Sequence, residues 1–160
     1  MKTAGDILAA DNQEVWTIAP TATVYDALKL MSDKNIGALP VRDKGKNVVG
    51  IVSERDYARK VILLGKTSRE TSVEIIMTPA SEMITIQPGA SLEDCMGLMT
   101  IHHIRHLPVI AGERLIGIIS SRDVVEAVIA EKNGCIDNLN EFSETLFMQN
   151  FDDHLAGGKG

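Results

Sequence analysis

The chain has 160 residues, of which 44% are hydrophobic and 24% are charged, and its formal net charge is −6. This composition is that of an ordinary soluble protein, and the acidic excess argues against a nucleic-acid binder, which needs a basic surface. No segment has the apolar length needed to cross a membrane, and the N-terminus has no apolar signal-peptide region. We therefore predict a cytoplasmic protein in which Cys95 and Cys135 are reduced thiols.

The first elements can be predicted in chain order from the residue pattern. A short β-prone segment, 15–18, is closed by a proline two residues later. Thr23 then caps a helix whose apolar residues have the spacing of one buried face. The segments ALPV (38–41) and VVGIV (48–52) are two short strands joined by turn residues, and Ser53 begins a second helix. The unit is therefore strand, helix, strand, strand, helix.

The same unit occurs a second time in the chain. Residues 17–41 align with residues 85–109, and the phrase GIVSERD recurs as GIISSRD. A small sheet with helices on one face needs a cover on the other. We therefore predict an α+β fold in which two βαββα repeats, 1–71 and 72–133, pack as a pseudo-two-fold pair with a cleft at the seam.

The segment 134–160 lies outside both repeats. Its apolar residues have helical spacing and are Ile136, Leu139, Phe142, Leu146 and Phe147. The segment is predicted to form an amphipathic C-terminal helix that docks on the repeats or on a partner chain, followed by a flexible end.

The ordered set of motifs resembles a tandem pair of CBS domains, also called a Bateman module. The resemblance covers about residues 3–131 and depends on three elements in each repeat: an apolar stretch ending in proline, an LPV strand, and the phrase Gly-h-h-Ser-x-x-Asp, where h is apolar. It implies a regulatory module without catalytic apparatus that binds adenosine-containing ligands, such as AMP, ADP, ATP, NAD or S-adenosylmethionine, between the repeats. A homodimer and an unidentified regulated protein are the partners it implies.

The repeated phrase has two interpretations. A serine followed three residues later by an acidic residue, at a strand-to-helix junction, is a capping box, although this box favours Glu or Gln over the shorter Asp. A carboxylate at a helix start can also accept both hydrogens of a ribose diol, as in dinucleotide-binding folds. The chemistry leaves both roles open for Asp56 and Asp123. The resemblance favours ribose binding by these two residues, assisted by Ser53 and Ser120.

The resemblance also implies an apolar slot for adenine in each repeat. The residues expected to line the slots are Thr17, Ile18, Ala38, Leu39 and Pro40 in the first repeat and Thr85, Ile86, His106, Leu107 and Pro108 in the second. Ile18 and Ile86 suit a core position equally well, and the side chains of Leu39 and Leu107 are assigned to the core.

A phosphate group needs cations or free N–H groups, and in this respect the repeats differ. The second repeat contains IHHIRHLPV, with Arg105 and His106 where the first has Gly37 and Ala38. His102 and His106 have the i, i+4 spacing of zinc-binding helices, but the helix is expected to end between them, and no metal is expected. These basic residues then form either a solvated segment without function or a cluster that faces an anion. We favour the anion-facing cluster.

Two further cations, Arg55 and Arg122, lie within the repeated phrase and either face phosphate or are solvated. The cleft lined by Arg105 and His106 is expected to prefer ligands with more phosphate, and the cleft of the first repeat to be looser. The competing hypothesis is a ligand-free dimerising scaffold, which would need neither the paired aspartates nor the basic cluster.

Overall fold

The structure, a computed structural model, describes residues 1–11 and 14–134. The helices are α1 (Ala4–Asp11), α2 (Val24–Lys34), α3 (Glu54–Lys60), α4 (Val73–Ile76), α5 (Leu92–Ile101) and α6 (121–134). The strands are β1 (Ala38–Arg42), β2 (Val48–Ser53), β3 (Thr78–Pro79), β4 (His106–Ala111) and β5 (Arg114–Ser120). The predicted C-terminal helix and Cys135 lie outside the described residues, as do residues 12 and 13.

Each repeat contains an antiparallel strand pair and helices, which confirms the predicted α+β class with two repeats. β1 pairs with β2, and β4 pairs with β5. The predicted first strand is reduced to one parallel bridge in each repeat, from Ile18 to Val41 and from Ile86 to Val109. A proline follows each bridge by two residues, and its missing N–H prevents the ladder from continuing.

Each repeat takes part of its core from the segment that precedes the other repeat. Helix α1 contributes Ala4 to the core of the second repeat, and α4 contributes Val73 to the core of the first. The same hydrogen bond holds both helices: the Ala4 N–H donates to the Ala90 carbonyl, and the Val73 N–H to the Ala22 carbonyl, each at 2.9 Å. The predicted boundary after residue 71 therefore separates the repeats in sequence, whereas each of the two cores contains residues from both sides of it.

The two lead-in segments differ in how they end. Helix α1 continues to Asp11, whereas α4 stops at Ile76 and is followed by β3, in which Pro79 stands where the first segment has Ala10. A proline interrupts a helix that alanine would extend. β3 pairs with β2 and gives the first repeat a three-stranded sheet, while in the described residues β4 and β5 form a sheet of two strands.

Within residues 1–11 and 14–134, no helix combines the length and apolar character that a membrane span requires.

Candidate functional site

A cavity of about 600 Å³ lies at the seam between the repeats. Its lining residues from the first repeat are Leu8, Glu14, Val15, Trp16, Asn35, Ile36, Gly37, Ala38, Pro40 and Glu54, and those from the second are Arg105, His106, Ile116, Gly117, Ile118, Ser120, Ser121, Arg122, Asp123 and Glu126. Pockets for small ligands commonly enclose about 300–1,000 Å³. We call this cavity the seam cleft.

The seam cleft brings together only part of the predicted site. The predicted residues that line it are Ala38, Pro40, Arg105, His106, Ser120, Arg122 and Asp123. Those that do not line it are Thr17, Ile18, Leu39, Ser53, Arg55, Asp56, Thr85, Ile86, Leu107 and Pro108. Leu39 and Leu107 are fully buried in the two cores, as assigned from the sequence, and Ile86 is 7% exposed in the core of the second repeat. For Ile86 the structure therefore favours the core position over the adenine slot.

Gly37 and Ala38, assigned from the sequence to a looser cleft, lie together with the two basic residues of the second repeat. All four residues, Gly37, Ala38, Arg105 and His106, line the same cleft. A Cβ atom on Gly37 would lie 3.0 Å from His106 Nε2, so these two positions face each other directly across the seam. These residues meet because both LPV strands, β1 and β4, begin where the two repeats are in contact. The sequence of one repeat does not indicate this contact.

Asp123 holds the start of α6 and retains capacity for a ligand. The Ser120 N–H donates to Asp123 Oδ2 at 2.6 Å, and the Asp123 N–H donates to Ser120 Oγ at 3.3 Å. Capping therefore occupies Oδ2, and among the described residues no cation forms an ion pair with this carboxylate. The two interpretations of the phrase are compatible here, since the cap uses Oδ2 and the residue also lines the seam cleft.

Asp56 has the same cap but a different neighbour. The Ser53 N–H donates to Asp56 Oδ2 at 2.9 Å, while Oδ1 lies 2.8 Å from Lys60 Nζ. The Lys60 ammonium also donates to the Ile76 carbonyl at 2.6 Å, at the end of α4. Both carboxylate oxygens of Asp56 are therefore engaged within the protein.

The two arginines of the repeated phrase also take different partners. Arg55 Nη1 donates to the carbonyl of His103, a residue with a left-handed backbone (φ 52°), and so links α3 to the turn before β4. Arg122 Nε instead donates to Glu126 Oε1 at 2.8 Å, one turn further along α6. Arg55 joins the two repeats, whereas the exposed Arg122 lies on the wall of the seam cleft.

The surroundings of His106 disfavour its protonated form. Burial lowers its pKa below the ordinary 6.5, and the charges of Arg105 and Arg55 lower it further, against an opposing effect of Asp123. The imidazole is therefore neutral at pH 7 in the free protein. A positive charge on His106 would therefore assist anion binding only at a more acidic pH than is usual for a histidine.

The remaining reactive side chains do not assemble into a further site in the described part of the chain. Helix α5 ends at Ile101, so His102 and His106 share no helix face. No three His, Cys, Asp or Glu side chains converge as a metal-binding group in residues 1–11 and 14–134. Cys95 is fully buried in the core of the second repeat, and burial raises the pKa of its thiol, which makes it a poor nucleophile.

Sequence reasoning missed several residues of the cleft. Trp16 lines it, with Lys34 Nζ 3.7 Å from the ring centroid, and so do Glu14, Glu54 and Glu126. A signal existed for Glu54, which directly follows the capping serine. None existed for Glu14 and Trp16, because their approach to the second repeat depends on how the repeats pack.

Comparison with known proteins gives a consistent result. The model of the CBS domain matches residues 4–62 and 73–130. The chain is 41% identical over 144 residues to "CBS domain-containing protein CBSX3, mitochondrial" from Arabidopsis thaliana, covering 89% of this chain and 68% of the relative.

Solved structures agree with the sequence matches. A protein with CBS domains from Burkholderia ambifaria MC40-6 superposes with a TM-score of 0.75 and 47% identity, covering 81% of this chain and 95% of that one. CBSX2, solved in complex with AMP, superposes with a TM-score of 0.65 and 30% identity, covering 82% of this chain and 99% of that one.

Proposed function

The chain belongs to the CBS domain family, and from this premise we propose that it is a sensor that binds an adenosine nucleotide (AMP, ATP or NAD) in the seam cleft. Tandem CBS domains are regulatory modules and not themselves enzymes. The observation that carries the proposal is the position of Asp123, whose carboxylate lines a cleft of about 600 Å³ and is not paired with a cation among the described residues. The AMP complex of the similar protein CBSX2 supports an adenosine ligand.

Each part of such a ligand has a complementary group in the cleft. Asp123 Oδ1 would accept hydrogen bonds from the ribose diol, because capping occupies only Oδ2. Val15, Trp16 and Ile36 supply apolar and aromatic surface for a flat base. Arg105 supplies a guanidinium for a phosphate group.

A ligand-free scaffold is the second candidate function, and one observation favours it. The turn after α3 exposes three large apolar side chains, Ile62, Leu63 and Leu64, at 55%, 77% and 62%. Exposed apolar groups of this kind are common where protein surfaces associate.

The homodimer and the cytoplasmic location stay predictions; the similar protein CBSX3 is named as mitochondrial.

The proposal is tested by thermal unfolding of the protein with millimolar AMP, ATP or NAD, and with GMP as the matched control. A ligand at 100 times its Kd adds about 2.7 kcal/mol to the free energy of unfolding, which gives a clear rise in Tm. We expect adenosine nucleotides to raise Tm and GMP to raise it less. An unchanged Tm with all three adenosine nucleotides would contradict the sensor and support the scaffold.

A further inference from the structure

The seam cleft is rich in carboxylates, although it also holds Arg105 and His106 of the basic cluster. Its four carboxylates belong to Glu14, Glu54, Asp123 and Glu126, and its two guanidinium groups to Arg105 and Arg122. His106 adds no charge at pH 7, because burial and the nearby Arg105 and Arg55 lower its pKa. The walls of the cleft therefore carry an excess of negative charge.

An ion pair within the cleft wall further reduces the positive charge that is available to a ligand. Arg122 Nε already donates to Glu126 Oε1 at 2.8 Å, so that pair is locally neutral. Glu54 lies beside the contact across the seam: its Oε2 would be 3.5 Å from a Cβ on Gly37, the position that faces His106. Among the described residues, Arg105 is then the guanidinium of the cleft lining without a carboxylate partner, while Glu14, Glu54 and Asp123 form no ion pair that would neutralise them.

We propose, on the basis of the proposed function, that the seam cleft discriminates among adenosine ligands by charge and favours a single phosphate group over a polyphosphate chain. The phosphate monoester of AMP carries a charge of about −1.5 to −2 at pH 7. ADP and ATP add charge that Arg105 alone does not balance, and the carboxylates oppose it. This reverses the expectation from the sequence, in which the basic cluster alone predicted a preference for more phosphate.

The test measures Kd for AMP, ADP and ATP by titration calorimetry in EDTA, with fluorescence of the single tryptophan, Trp16, as a second readout. We expect the order AMP, ADP, ATP from tightest to weakest, with a smaller gap at higher salt. Glu14→Gln and Glu54→Gln should each tighten ATP binding by about 1.5- to 5-fold, and AMP binding by less. Both side chains are exposed, so the substitutions should not prevent folding.

Glu113→Gln is the matched control, because Glu113 is exposed in the turn between β4 and β5 and does not line the cleft. It should leave all three constants unchanged. If ATP binds as tightly as AMP without divalent cations, or if the cleft variants behave like Glu113→Gln, charge selection is wrong while nucleotide binding stands. If none of the three ligands binds the parent protein, the proposed function and this inference fail together.

Discussion

The phrases GIVSERD and GIISSRD form the same strand-to-helix junction, yet only the second contributes its aspartate to the seam cleft. In the first junction, Lys60 Nζ forms an ion pair at 2.8 Å with Asp56 Oδ1, the oxygen that the cap does not use. The corresponding position in the second repeat is Ala127, which is buried in the core, and Asp123 keeps Oδ1 available. A capping motif therefore determines the backbone, while the residue one helical turn later determines whether the second carboxylate oxygen is engaged in an ion pair.

A second difference between the junctions also depends on the residue one helical turn later. Arg59 stands in the first repeat where the second has Glu126. Arg59 cannot form an ion pair with Arg55, because both side chains are positively charged. Arg55 donates instead to the His103 carbonyl in the other repeat, whereas Arg122 donates to Glu126 on its own helix. The same residue type acts as a cross-repeat link in one copy and as part of the cleft wall in the other.

The largest expected effect comes from removing the charge of each aspartate in turn. Asp123→Asn keeps an oxygen for the cap but loses the acceptor for the ribose diol. A hydrogen bond to a charged group contributes about 1.5–3 kcal/mol, so the Kd for AMP should rise at least about 10-fold. Asp56→Asn is the matched control and should change this Kd by less than about 2-fold, because both its oxygens are already engaged.

Titration calorimetry of the two variants and the parent decides the comparison. Equal losses of affinity in both variants would show that the Lys60 ion pair opens to admit ligand, and the distinction between the junctions would then be lost. Loss in Asp56→Asn alone would place the ligand at the first junction.

An intermediate effect is expected from the two arginines. Arg55→Met removes the hydrogen bond to the His103 carbonyl while keeping an unbranched side chain, and should lower the free energy of unfolding by about 1 kcal/mol. Arg122→Met removes only an exposed i, i+4 pair and should change stability by less than about 0.5 kcal/mol. Urea denaturation measures both. Equal effects would mean that the cross-repeat bond does not contribute to stability.

The smallest effect concerns His106, which stands where the first repeat has Ala38. Its folded-state pKa is lowered, so the unfolded chain binds the proton more readily. The stability that neutral His106 contributes is therefore complete above about pH 6.5 and is lost as pH falls through the lower folded-state pKa. Stability measured from pH 7.5 to 5 should fall more steeply in the parent than in His106→Gln.

The exposed His102 provides the control for this pH series. His102→Gln should follow the parent curve. Parallel curves for the parent and His106→Gln would show that burial and the charges of Arg105 and Arg55 do not outweigh the effect of Asp123, which favours protonation of His106.

Local features of the fold could be predicted because they depend on short stretches of sequence. Thr23 and Ser53 cap helices as predicted, each with an aspartate three residues later that completes the capping box. The strands at 38–42 and 48–53 follow from two short apolar runs and an intervening turn. The first strand is shorter than the sequence predicts, because the proline that follows it limits its hydrogen bonding.

Four features follow from the amino-acid sequence alone, since each arises from contacts within a few residues or within one unit: the repeat, the capped helices, the short strands and the paired Ser-x-x-Asp phrases. Three further features arise only when the repeats pack together. Helix α1 contributes to the core of the second repeat and α4 to that of the first, Gly37 faces His106, and Glu14 and Glu54 join Asp123 in one cleft. These features depend on the packing of two surfaces that each unit must bury against the other, and on which side chains that packing brings to the seam. A repeated motif can be identified within one unit, whereas a cleft between units depends on the residues of both.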